Sequence, residues 1–92
     1  MNKTELVKLI SERMDINQKD IKEIVDLTLD IITETVSSGD DVTFSGFGTF
    51  ACKHREERKG VKPITKEVIT IQARNVPIFK PSIVFKRRLN GQ

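Results

Sequence analysis

The sequence predicts an α+β chain: two N-terminal helices, a three-stranded antiparallel sheet extended into a long β-ribbon arm, and a short C-terminal helix. Three observations predict it. Apolar residues recur at helical intervals as far as Val36 and then alternate from Val42 onward. Gly46 and Gly48 flank Phe47, which marks a tight turn between strands. No apolar residue occurs from Lys53 to Gly60, so the outer part of a hairpin there has nothing with which to join a core.

Asn2 and Glu5 have the spacing of a capping box, and Leu6, Leu9, Ile10 and Met14 follow at helical intervals. The segment DINQKD breaks that pattern. Asn17, with Asp20 three residues on, caps a second helix. Ile21, Ile24, Val25, Thr28, Ile31, Ile32 and Val36 hold one face of it, and Leu27 and Leu29 widen the stripe. So wide a stripe on a small protein predicts cover on more than one side. Gly39 is a natural stop.

Val42 and Phe44 alternate, as do Phe50 and Cys52, and Ile69, Ile71 and Ala73 resume the pattern before Val76, Ile78 and Phe79. This is a long hairpin with an apolar base and a charged outer part. At about 3.4 Å per residue, Lys53 to Lys62 reaches roughly 30 Å. An isolated two-stranded ribbon is marginal in water, so such an arm is expected to project and to become ordered against a partner. Pro81 and Ser82 are placed to start the last helix, with Phe85 and Leu89 on one face and Lys86, Arg87 and Arg88 on the others.

Ninety-two residues suggest one domain with a limited core, for which a partner subunit is a natural supplement. The segment MNKTEL lacks the apolar stretch that export would need, and no run is apolar enough to span a membrane, so the expectation is cytoplasmic. Cys52 is the one cysteine and makes neither an internal disulfide nor a cysteine-based zinc site. It is expected to pack as a small apolar residue.

The net charge of +3 conceals a split. Residues 1–46 carry five basic against ten acidic residues, and residues 47–92 carry eleven basic against three acidic. A basic half meets something anionic, and double-stranded DNA fits a ribbon rich in Lys and Arg. The basic half holds only Glu56, Glu57, Glu67 and a lone His54, so it offers neither a catalytic constellation nor a metal site, and no cofactor is implied. A small nuclease is therefore disfavoured. An RNA-binding protein with a basic hairpin is not excluded by charge. Phe47, Phe50 and Phe79 could serve as stacking platforms, but their apolar neighbours point to a core or subunit interface.

The chain resembles the bacterial HU and integration host factor family of DNA-bending proteins, without gaps over almost its whole length. The resemblance rests on GFGTF at 46–50, Arg55, Arg58, Gly60, the Lys62-Pro63 pair, Thr65 and FKP at 79–81, with NKTEL at the start. It implies a single DNA-binding domain over residues 1–92 that forms an intertwined dimer, most simply a homodimer. Residues 1–52 and 75–92 would make the body and residues 53–74 the arm, with Phe44, Phe47, Phe50 and Phe79 in the dimer core. DNA would be held by Lys3, Lys53, Arg55, Arg58, Lys59, Val61, Lys62, Pro63, Arg74, Lys80 and Lys86. The arms would lie in the minor groove, and Pro63 would wedge between base pairs. In that family such a wedge unstacks a base step and kinks the duplex. Bent or nicked duplexes would be preferred, with little sequence specificity, and the protein would organise and compact the nucleoid. The family commonly has arginine at the place of Val61, a polar residue at Ile64, glycine at Lys66 and a basic residue near Ile83. These departures predict a larger apolar tip, with Val61 or Ile64 supporting Pro63.

Overall fold

A computed structural model describes residues 1–91 of the chain. The elements run α1 (Lys3–Met14), α2 (Gln18–Ser37), β1 (Val42–Phe44), β2 (Gly48–Arg55), β3 (Arg58–Val61), β4 (Val68–Ile71), β5 (Arg74–Pro81) and α3 (Ile83–Leu89). Residues cluster into two units, Met1–Glu34 and Thr35 onward.

In the first unit both helices start as the polar residues before them dictate. The Asn2 side chain accepts a hydrogen bond from the Glu5 backbone N–H at 2.9 Å. The Asn17 side chain accepts from the Asp20 N–H at 2.9 Å, and its amide donates back to the Asp20 carboxylate at 3.0 Å. The two backbone contacts, at Glu5 and Asp20, each satisfy a donor that the first helical turn leaves free. Asp15 ends α1 in the left-handed region, at φ 55. Val7 on α1 and Ile21 on α2 are buried, whereas Ile24, Leu27 and Leu29 stay at least half exposed. Among the described residues no helix is long and apolar enough to cross a membrane.

The second unit begins with the end of α2. Gly39, at φ +92, donates to Val36 O, and Asp40 N–H donates to Thr35 O. This is the paired closure of a Schellman motif, and the positive φ is why a glycine stands there. The sheet that follows has the order β1-β2-β5, all antiparallel. Between β1 and β2, Phe47 N–H donates to Phe44 O across a turn in which Gly46 takes φ +79. Gly48 has a different role from the turn residue that the sequence suggested. It is the first residue of β2, and a Cβ there would lie 2.5 Å from Phe79 Cζ and 2.7 Å from Lys80 O. Close approach of β5, not backbone conformation, excludes a side chain.

Strand alternation sorts the sheet into two faces. Phe50 and Phe79 are direct cross-strand partners, with ring centroids 4.9 Å apart. Phe47 lies 5.2 Å from Phe79 and 5.4 Å from Phe85 of α3, and Phe44 meets Phe50 edge-on at 6.2 Å. All five phenylalanines of the chain thus form one cluster. The cluster is not sealed: Phe44, Phe47 and Phe79 remain 41, 43 and 38% exposed. Ala51 is buried on the opposite face. Cys52 is exposed, contrary to the packing role expected for it. Pro81 also departs from expectation. It is the last residue of β5, paired with Gly48, and Ser82 alone caps α3 by accepting from the Phe85 N–H at 3.1 Å.

Beyond this sheet, β3 and β4 pair only with each other. Glu56–Glu57 and Gln72–Ala73 separate this ribbon from β2 and β5. Arg55 pairs with Arg74 and Arg58 with Ile71, so two residues on each strand lie outside the ladder and neither strand gains one. The ladder lapses and resumes in the same register.

Candidate nucleic-acid interface

The predicted binding residues fall mainly on one face of the sheet and on the ribbon. Side chains at Thr49, Ala51, Lys53 and Arg55 alternate away from Phe50, as do those of their partners Lys80, Ile78, Val76 and Arg74. Lys53, Arg55, Arg74 and Lys80 therefore share the face opposite the phenylalanine cluster. All four are exposed. Period-two alternation within each strand, combined with the β2–β5 register, separates the aromatic side of the sheet from its basic side.

Arg55 and Arg74 are direct cross-strand partners. Like charges placed opposite one another destabilise a ladder. The register sets two cations on directly opposite backbone positions, an arrangement that a bound anion would offset. The ladder lapse lies next to this pair. It opens a cleft of about 520 Å³ whose lining includes Arg55, Arg58 and Arg74 together with Glu56 and Glu57. The glutamates lower the net charge of the cleft without removing its positive sign.

On the ribbon, Lys59 pairs with Thr70 and Val61 with Val68 on one face, and Arg58 pairs with Ile71 and Gly60 with Ile69 on the other. A Cβ on Gly60 would lie 3.0 Å from Ile71 Cδ1, a tight contact with the end of a side chain that a small shift relieves. At the tip, Lys62 N–H donates to Glu67 O at 2.9 Å and Lys66 N–H to Lys62 O at 2.8 Å. Pro63 follows the first of these pairs and starts the turn, where its fixed φ suits it. Lys66 closes the turn in the left-handed region, at φ 59. A non-glycine residue pays steric strain there. Lys62 also approaches Glu67 at 4.0 Å between side-chain ends.

The remaining predicted contacts are elsewhere. Lys86 lies in the last turn of α3 beside Arg87 and Arg88, where cations also complement the helix C-terminus. Lys3 belongs to the first unit, and its ammonium group is 2.7 Å from Asp26, which Lys22 approaches at 3.1 Å. The bond to Lys3 first, and then that to Lys22, holds the Asp26 carboxyl below its ordinary value. A phosphate that recruits Lys3 must therefore compete with this carboxylate.

Sequence reasoning missed the anchoring at the arm base. His54 Nδ1 is 2.8 Å from Asn75 Oδ1 across the strands, and Nε2 is 3.2 Å from a Glu56 carboxylate oxygen. The contact depends on which residues face each other, and no local pattern reveals that. Among the described residues no group of three or more His, Cys, Asp and Glu is placed to hold a metal ion.

Residues 1–90 match the family described as bacterial DNA-binding protein. DNA-binding protein HU 1 of Bacillus subtilis is 39% identical over 92 residues, 100% of both chains. Integration host factor subunit alpha of Anaeromyxobacter sp. is 38% identical over 92 residues, 100% of this chain and 81% of that one. Among solved structures, an Anabaena HU–DNA cocrystal structure matches with a TM-score of 0.91 and 37% identity, covering 100% of each chain.

Proposed function

The chain belongs to the bacterial DNA-binding protein family of HU and integration host factor, whose members are non-enzymatic architectural proteins, and on that premise we propose that it bends double-stranded DNA as a dimer. One observation carries the reading. The basic face of Lys53, Arg55, Arg74 and Lys80 leads into a ribbon that pairs with no third strand and ends in Pro63. A surface that repels itself and an arm without a core are both satisfied by phosphate.

The dimer is supported by what a single chain leaves uncovered. Only Val7, Ile21 and Ala51 are buried hydrophobic residues among those described, while Phe44, Phe47, Phe79, Leu27 and Leu29 are 38 to 60% exposed. A second copy laid on the phenylalanine face would bury the exposed rings, so Phe44, Phe47, Phe50 and Phe79 form its proposed core. A homodimer is the simplest assembly.

Each arm then follows the minor groove. Arg58, Lys59 and Lys62 hold the backbone or groove, Val61 lies against the groove, and Pro63 opens a base step. Proline is rigid and carries no N–H to strand between bases. Unstacking costs a few kcal/mol, which the greater contact of a bent duplex offsets. Lys3, Lys80 and Lys86 hold flanking DNA. Recognition of this kind reads deformability, so bent, nicked or kinked forms are preferred and specificity is low. The expected place is the nucleoid, which the protein helps to compact.

Gel-shift titrations on linear, nicked and four-way duplexes at several salt concentrations test this. Affinity should fall with salt by roughly −0.9 per phosphate contact on a log–log plot. Pro63→Ala should reduce the preference for distorted DNA. Equal affinity for every form, unaffected by Pro63→Ala, would end the bending proposal. Sedimentation of the free protein tests the dimer.

A further inference from the structure

The arm tip holds a second apolar residue better placed than any other to enter a base step. Ile64 is 96% exposed, the highest value among the large hydrophobic residues of the described chain. It follows Pro63 at the apex of a turn closed on both sides, by Lys62 N–H to Glu67 O and by Lys66 N–H to Lys62 O. Thr65 Oγ1 lies 3.4 Å from the Glu67 N on the returning side of the loop, a long contact that adds little to the two backbone bonds. Ile64 thus stands outward on a held backbone, and its β-branch restricts χ1. Val61 is the weaker candidate for the same task. It is part of the ladder, paired with Val68, and the two are 60 and 68% exposed.

We propose that Ile64 inserts beside Pro63 at the kinked step of duplex DNA, so that the tip is a two-residue wedge with the Val61–Val68 rung closing the groove behind it. The proposal rests on the DNA-bending reading above. Isoleucine is among the side chains that serve as minor-groove wedges, a role for which this family provides examples. Charge selects the occupant. Residues 58–67 set Arg58, Lys59, Lys62 and Lys66 against Glu67 alone, so the apolar apex sits within a cationic collar that matches phosphates on both sides of a step. Burying an isoleucine fully strengthens binding about tenfold to a hundredfold.

The test uses the full chain, wild type and the variants Ile64→Gln, Ile64→Ala and Pro63→Ala. Ile64 touches no core, so its variants fold as the parent does. Each is titrated against an end-labelled duplex that reports bending by energy transfer and carries 2-aminopurine along its centre. Ile64→Gln should weaken binding about tenfold, lower the bend and reduce the fluorescence of unstacked 2-aminopurine. The salt slope should stay unchanged, because no charge is lost. Ile64→Ala should fall between Gln and the parent. If Ile64→Gln matches the parent while Pro63→Ala loses the bend, the second wedge is wrong and the bending function stands. If the parent itself does not bend the duplex, both are wrong. A reduced salt slope in Ile64→Gln, or DNA-free self-association that Ile64→Gln abolishes with DNA binding intact, also overturns the proposal.

Discussion

The β2–β5 ladder and the β3–β4 ribbon are one hairpin in one register, yet they differ in everything that makes a sheet rigid. The inner part has a third strand, an aromatic cross-strand pair and a helix-borne ring against it. The outer part has no third strand and is separated by unpaired residues. Backbone hydrogen bonds are common to both, so side chains and neighbours decide which part is framework and which is limb. A pair such as Phe50–Phe79 adds attraction beyond its buried area. The Arg55–Arg74 pair subtracts from the ladder it belongs to.

Four substitutions would break or sharpen this contrast. Phe79→Ala should be the most severe, since it removes a ring touching Phe47, Phe50 and Phe85. It should cost about 3–5 kcal/mol in urea denaturation and make stability steeply dependent on protein concentration. Gly48→Ala adds one methyl where Phe79 and the Lys80 carbonyl already stand, and should cost about 1–3 kcal/mol. Equal stability of Gly48→Ala and parent would show that β5 yields where packing says it cannot.

Changes at the outer end of the β2–β5 ladder and in the limb should act mainly on local opening rather than on the urea midpoint. Arg74→Glu turns a repelling pair into an attracting one, worth about 0.2–1 kcal/mol. Amide exchange near Arg55 should slow while DNA binding weakens. Faster exchange there would mean that the guanidinium groups do not face each other. Lys66→Gly relieves a left-handed lysine but loosens the unfolded chain. Its net effect should be about 0.5 kcal/mol toward an ordered tip, seen as slower exchange at Lys66 and Glu67. An unchanged or faster rate would show that the turn carries no strain.

What was legible in the sequence follows the same division between local and distant causes. The caps at Asn2 and Asn17 and the stop at Gly39 were readable because each acts within a few residues of itself. The alternation of Phe44, Phe50 and Phe79 was readable because period two is a property of the strand alone. Gly48 was misread as a turn residue because its constraint comes from Phe79, far along the chain. Cys52 was expected to pack, but it lies past β1, which pairs with β2 only as far as Phe50, and it is exposed in the single chain. Pro81 looked like a helix start since proline suits that place, and its pairing with Gly48 is invisible without the partner strand. For the candidate site, the basic residues and Pro63 were legible individually. Their sharing of one face needed the register, and the opposition of Arg55 to Arg74 needed it to the residue.

The lapse between Arg55 and Arg58 has a mechanical consequence. Two strands freed for the same length, with no residue added to either, form a joint that is soft in bending but keeps its phase. A bulge would have turned every later side chain to the other side. If the protein bends DNA as proposed, the limb would swing to meet helices of differing curvature while Lys59 and Val61 keep their places relative to Pro63, so that reach would adjust and the order of side chains along the groove would not.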